Sequence, residues 1–564
     1  MTGAQTHPTS AAGQPPITMF GPDFPFAYDD WVKHPAGLGS LPAARHGTEV
    51  AVVGAGIAGL LSAYELMKLG LKPVVYEAGR LGGRLRSLPF QGAEGVIAEL
   101  GAMRFPVSST TFYHYLRQAG LETKPFPNPL SPATPSTVID LDGEPVYVEK
   151  PEDLPRIFRE VEAAWNEALE HGAQFSAMQD AIRRRDAKRV KEIWNALVPI
   201  WDERTFYGFV ATADAFARRS FRHREIFGQV GFGTGGWDTD FPNSMLEILR
   251  VVYTDQDSHQ RLVVGGVEQL PRWMWKHAPT QTAHWPSGTS LDALHGGGPR
   301  PGVVRIARDA DDNRFLITDR WGDTRRYDAV ISTCQTWLMS TNIETEERLF
   351  PQKLWMAMDR THYMQSSKTF VMVDRPFWNA RDPKTGRHVM SQTLSDRITR
   401  GTYLFDNGPD KPAVICLSYT WMGDALKVLP FPAEKRVKLM LDALKKIYPD
   451  VDFARHIIGD PITVSWEADP DSLGAFKGNL PGHYRYQRRM FCHFKEQDRL
   501  PPHQRGIFLA GDDISWTAAW VEGAVQSALN AAWGVVHYLG GAAPKENPGP
   551  GDLYDAIAPL MLPD

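Results

Sequence analysis

Gly54, Gly56 and Gly59 follow the β-branched run "EVAVV" (Glu49–Val53) with the spacing GxGxxG. In that spacing the first glycine permits a tight turn, the second lets backbone approach a pyrophosphate, and the third lets a helix pack close on a strand. The next stretch, "AGLLSAYELMKLG", carries apolar residues at roughly helical spacing, so its N-terminus would aim free amides and its dipole at phosphates. Gly70 ends that helix, "KPVVYEA" supplies a second strand, and Glu77 lies 18 residues beyond Gly59. A carboxylate there suits the free ribose hydroxyls of an adenosine and disfavours a 2′-phosphate. The chemistry predicted is dinucleotide binding.

Other residues offer chemistry of a different kind. Arg104 in "ELGAMRFP" presents a planar fork of donors suited to bidentate capture of a carboxylate; a diphosphate contact or a structural ion pair competes with that reading. Lys368, Phe370 and Met372 share one face of the strand "SSKTFVMV", and Thr369, Val371 and Val373 share the other. Both faces are largely apolar, so a lysine there is buried at a cost unless paired or functional; a surface edge position is the alternative. Asp238 and Asp240 in "GGWDTDFPN" and Glu496 in "CHFKEQD" are carboxylates able to meet a cationic side chain, against ordinary capping or surface roles. Trp516 and Trp520, four residues apart, and Trp466 in "VSWEADP" are either walls of a site or core packing.

These residues need a scaffold, and the texture of the chain divides it. Residues 1–44 are rich in Pro and Gly and read as an arm over the body. Segments 45–110, 260–340 and 500–545 carry the strand, glycine and helix logic of a nucleotide-binding unit. Segments 111–259 and 341–499 are expected to build a second, substrate domain, with charged amphipathic helices over 151–230 as an insertion, and 546–564 to form a tail. The fold class expected is α/β (α+β): a Rossmann-type domain interleaved with a mixed sheet-and-helix domain.

Composition excludes several classes. With 564 residues, 43% hydrophobic and 23% charged, the chain reads as globular. Lys plus Arg number 61 against 66 Asp plus Glu, and without a long basic run nucleic acid is not an expected partner. Cys334, Cys416 and Cys492 show no CxxC and no metal-ligand spacing, so no metal is expected and the thiols read as free in a reducing cytoplasm. The first twenty residues lack a basic region and an apolar core, and no run of about 18 apolar residues occurs. The expectation is a cytoplasmic protein without a membrane partner.

The decisive segment is "AGRLGGRLRS", where Gly82 and Gly83 lie between Arg80 and Arg84. An NAD site has no need of this second glycine-arginine turn, which resembles the GG motif of the flavin amine oxidase superfamily and so implies FAD. With "ELGAMRFP", "VVGGVEQL", "SSKTFV" and "AGDDISW…WVEGA", the chain resembles the flavin monoamine oxidase and L-amino-acid oxidase family from end to end. Within that family it is most similar to bacterial L-lysine oxidase/monooxygenase and L-arginine oxidase, relatives of tryptophan 2-monooxygenase.

The resemblance implies cofactor contacts at Gly54, Gly56, Ala58, Gly59, Glu77, Ala78, Arg80, Gly82, Gly83 and Arg84. Further contacts are implied at Met103, Arg104, backbone near Val304, Gly511, Asp512 and Val521. It assigns the substrate α-carboxylate to Arg104, a water near flavin N5 to Lys368, and aromatic walls to Trp516, Trp520 and Trp466. The implied activity is hydride transfer from Cα of an L-amino acid, basic in side chain (lysine, arginine or ornithine), to flavin N5. Dioxygen then reoxidises the flavin, giving 2-oxo acid, ammonia and hydrogen peroxide. A 2-monooxygenase yielding an amide and an oxidase of aromatic amino acids are the alternatives, and a homodimer is implied. An NAD-linked dehydrogenase and a non-catalytic flavoprotein are the rivals from other classes.

Overall fold

The computed structural model describes residues 15–230 and 242–563. Five strands form a parallel sheet: β1 (Glu49–Val53), β2 (Lys72–Glu77), β3 (Arg300–Pro301), β4 (Ala329–Ser332) and β5 (Ile507–Leu509). Their spatial order, 3-2-1-4-5, is that of a doubly wound nucleotide-binding sheet, which places a ligand at the carboxyl ends of the central strands. β1 and β4 are buried almost throughout, as expected of parallel strands covered on both faces.

Three helices matter to the site: α1 (Ile57–Lys68), α2 (Met245–Tyr253) and α3 (Val521–Tyr538). α1 leaves β1 through the glycine turn and ends at Gly70, whose φ of 93° lies where glycine carries no steric penalty. α3 packs on α1. Both helices are buried around nearly all of their circumference, consistent with their Ala- and Leu-rich sequences.

The second sheet has seven strands. Ser366–Val373 lies inside it between Ile457–Ser465 and Ala413–Trp421, antiparallel to both. Gly401–Phe405, Gln392–Ser395, Thr137–Leu141 and Glu144–Val148 continue it. Over residues 156–230 the expected amphipathic helices are present, among them Arg156–Ala173, Phe175–Arg183 and Ala187–Trp201. They bury Trp165 and Trp194. The N-terminal arm is tied into the body: Phe24 meets Phe491 edge-on at 5.2 Å, and Tyr28 donates to Asn530 on α3. The α/β class is as the motifs predict, and among the described residues no helix is long and apolar enough to cross a membrane.

Candidate active site

The carboxyl ends of β1 and β2, the start of α1 and the inner face of the second sheet enclose a cavity of about 370 Å³. At its nucleotide end α1 begins at Gly56 with no side-chain cap, so its first amides are available to an anion. Open space lies where a side chain on Gly56 would stand. Gly59 serves packing instead: a Cβ there would fall 1.9 Å from the Gly54 carbonyl oxygen, and Gly59 does not line the cavity.

Glu77 accepts from the amides of Ala55 at 2.7 Å and Gly79 at 2.8 Å, and burial pushes its pKa above the usual carboxylate value. Arg80 is held by Glu268 at 2.6 Å. Arg84 donates to Asp512 at 2.5 Å and to the Ala475 carbonyl at 2.9 Å. The other carboxylate oxygen of Asp512 is buried and, among the described residues, has no partner, which leaves it able to accept from a ligand hydroxyl. Ala58, Ala78, Gly82, Gly83, Met103, Gly511 and Val521 also line the cavity. The uncapped helix, the open space at Gly56, the acid on β2 and the free Asp512 oxygen together fit an extended dinucleotide.

Arg104 stands at the other end, 8% exposed. Its guanidinium carbon lies 5.5 Å from the ring centres of Phe126 and Tyr419 and 5.6 Å from that of Tyr403. Its hydrogen bonds, to the Asn128 amide oxygen at 3.4 Å and the Tyr403 hydroxyl at 3.5 Å, are long. No carboxylate among the described residues pairs with it.

Lys368 is 2% exposed. Its amine donates to the carbonyls of Gly101 at 2.5 Å and Glu99 at 3.1 Å, and sits 4.7 Å from the centre of the Tyr419 ring. Burial lowers its pKa to about 7. Burial likewise raises the nearby Glu99 to about 7. A neutral amine has two N–H groups and one lone pair; with both N–H groups on carbonyls, the lone pair is left to accept from water.

Trp466, Trp516 and Trp520 all line the cavity. Trp466 is fixed by a 3.0 Å bond from Nε1 to the Leu100 carbonyl and by Arg86 over its face. Trp516 packs on Tyr484 and Phe491.

One expected contact is corrected. Glu496 does not line the cavity: Arg488 donates to its carboxylate at 2.7 Å and Tyr554 at 2.9 Å. These partners on its own helix and on the C-terminal tail hold it away. Near the backbone expected to hold the adenine, Val303 lines the cavity, the Val304 side chain is 40% exposed, and the strand pairing is irregular between Val303 and Arg305. Asp238 and Asp240 lie outside the described residues.

Several wall residues escape a reading of the sequence. Tyr419 and Trp421 enter from Ala413–Trp421, and Lys477 from a short strand. Lys477 donates to Gln487 and to the Ser515 carbonyl, and burial lowers it to about 8. α2 contributes Glu247 and Arg250, and the turn after it Gln256 and Asp257. The available signal was Arg250 on the apolar face of an amphipathic helix, a charge that demands a buried partner.

Residues 57–536 match the family described as flavin containing amine oxidoreductase. The chain belongs to the flavin-containing amine oxidoreductases. It is 33% identical over 552 residues to tryptophan 2-monooxygenase of Pseudomonas savastanoi, covering 91% of this chain and 93% of that protein. It is 31% identical over 543 residues to tryptophan 2-monooxygenase of Pantoea agglomerans pv. gypsophilae, covering 89% and 91%. Among solved structures it resembles a putrescine oxidase variant with a TM-score of 0.64 at 19% identity, covering 87% of this chain and 99% of that one. Cyclohexylamine oxidase from Brevibacterium oxydans IH-35A gives 0.61 at 16%, with the same coverage. As a member of this family the protein is an oxidoreductase carrying a flavin, and the dinucleotide shape of its cleft makes that flavin FAD. It acts as an oxidase or a monooxygenase.

Proposed function

We propose that this flavoenzyme is an oxidase of L-α-amino acids with basic side chains, lysine, arginine or ornithine, producing 2-oxo acid, ammonia and hydrogen peroxide. The observation carrying this reading is Arg104: a buried guanidinium, caged by Phe126, Tyr403 and Tyr419, with no carboxylate partner among the described residues. A buried charge is costly until paired, and its fork matches the carboxylate of an amino acid. When bound, the flavin supplies the hydride acceptor and the route for electrons to dioxygen.

In this reading the chain's own residues orient and shield. Arg104 fixes the α-carboxylate, the tryptophan walls confine the side chain and exclude water, and Lys368 in its neutral form holds a water at its lone pair. Fixing two points of the substrate sets the direction of the Cα–H bond. Water then hydrolyses the imino acid, so that amino acid, dioxygen and water become 2-oxo acid, ammonia and hydrogen peroxide.

A 2-monooxygenase is the second reading, favoured by relatives of that name at 33% and 31% identity. There amino acid and dioxygen become an amide one carbon shorter, carbon dioxide and water. Aerobic turnover of L-lysine, L-arginine, L-tryptophan and L-phenylalanine with catalase present, read by mass spectrometry, separates the two. A 2-oxo acid with ammonia supports the oxidase, and a shortened amide the monooxygenase. No oxidation of any of the four would sink both.

A further inference from the structure

Asp257 lies in the turn between α2 and the strand Gln260–Val263, lines the cavity that holds Arg104, and is 4% exposed. Both of its carboxylate oxygens are buried, and among the described residues neither has a hydrogen-bond partner. Arg104 and Asp257 are thus two buried groups lining one cavity, and among the described residues neither has an ion-pair partner.

A polar track joins them. Arg104 donates to the Asn128 side-chain oxygen, the Asn128 amide donates to Gln260 at 2.9 Å, and Gln260 donates to the Gln256 carbonyl at 2.9 Å, next to Asp257. The Gln256 side chain is occupied in turn by Thr254 at 2.7 Å. None of these amides donates to Asp257. Asp255 and His259, on either side, adopt left-handed backbone with φ of 54° and 46°. Such conformations persist in non-glycine residues where the surroundings enforce them.

We infer that Asp257 is the counter-charge for the distal cation of the substrate, selecting L-amino acids whose side chain ends in an ammonium or guanidinium. This rests on the reading that Arg104 takes the α-carboxylate. A substrate with an anion at one end and a cation at the other satisfies both orphans at once, and an apolar or aromatic side chain leaves Asp257 unpaired. Burial already raises the Asp257 pKa to about 7, as it does for a carboxylate still awaiting its cation.

The test compares L-lysine with L-norleucine, which lacks only the ammonium, in wild type and in Asp257→Asn. Stopped-flow flavin reduction gives the limiting rate and the apparent dissociation constant separately. The lysine-to-norleucine ratio of kcat/KM is expected to exceed one in wild type and to fall about 100-fold in Asp257→Asn, mainly through the dissociation constant. Asp257→Glu should recover part of the preference, which a merely structural role would not produce. An unchanged ratio in Asp257→Asn, or a wild type preferring norleucine or tryptophan to lysine, would overturn this assignment while leaving the amino-acid oxidase intact. Failure of every L-amino acid to reduce the wild-type flavin would overturn both.

Discussion

The guanidinium of Arg250 lies 4.8 Å from the centre of the Trp516 ring while Asp23, from the N-terminal arm, clasps its far side at 2.7 and 3.0 Å. Glu247 pairs with the same group, and the Trp194 indole donates to Asp23 at 2.9 Å. The arm therefore fixes an aromatic wall of the cavity through one buried cation. Asp23→Asn leaves Glu247 on Arg250 but removes one of its carboxylates and weakens the charge-assisted hydrogen bonds, so a cost of about 1–3 kcal/mol is expected. Urea denaturation should show a lower midpoint with an unchanged slope, together with a raised KM from the loosened Trp516.

Substitution of Arg104 separates charge from geometry. Arg104→Lys keeps the charge and loses the fork, and a tenfold to hundredfold rise in KM is expected. Arg104→Met loses both, and kcat/KM should fall by about 100-fold or more. Oxygen uptake measures both effects, with the flavin absorbance retained as the check on folding.

Lys368 and Glu99 make opposite demands on pH. The amine falls from 10.5 to about 7 on folding, so its penalty is complete below pH 7, fades as pH rises, and vanishes above 10.5. The gain in Tm from Lys368→Met should accordingly be largest near pH 6 and shrink towards pH 10. Glu99 rises from 4.5 to about 7, so its penalty is complete above pH 7 and vanishes below 4.5. Glu99→Gln should show the mirror-image profile, and calorimetry across pH 5–10 reads both.

At Gly59 an added methyl meets the Gly54 carbonyl oxygen, which can yield only by opening the turn that faces the phosphates. Gly59→Ala is expected to cost more than about 3 kcal/mol and to purify with less than one flavin per chain. A flavin-to-protein absorbance ratio equal to wild type would refute this.

The nucleotide half of the cavity is legible in the sequence because its spacing is local: a turn, a helix start and an acid within thirty residues report on one another. The family motifs carry the reading further, to Arg104 and Lys368. The strand alternation around Lys368 predicts burial, and the side chain is 2% exposed. What resists reading is set by tertiary approach. In isolation "TDQDSH" is a polar turn, and only the fold turns Asp257 inward. Glu496 resembles a candidate contact until Arg488, two turns earlier on its helix, and Tyr554 are found on it.

The parallel sheet is also a timetable. β1 and β2 are complete by residue 77, whereas β5 begins at Ile507 and α3 at Val521. At ribosomal speeds of about 5–20 residues per second, roughly 20–90 s separate the synthesis of the first wall of the cleft from the last. Throughout that interval α1 has no α3 to cover it, and from the completion of β4 at residue 332 until β5 emerges, β4 has no neighbour on its outer edge. Nascent chains should therefore occupy chaperones for long periods and capture their flavin only after release, so that cofactor supply and chaperone capacity, more than translation rate, limit the yield of active enzyme.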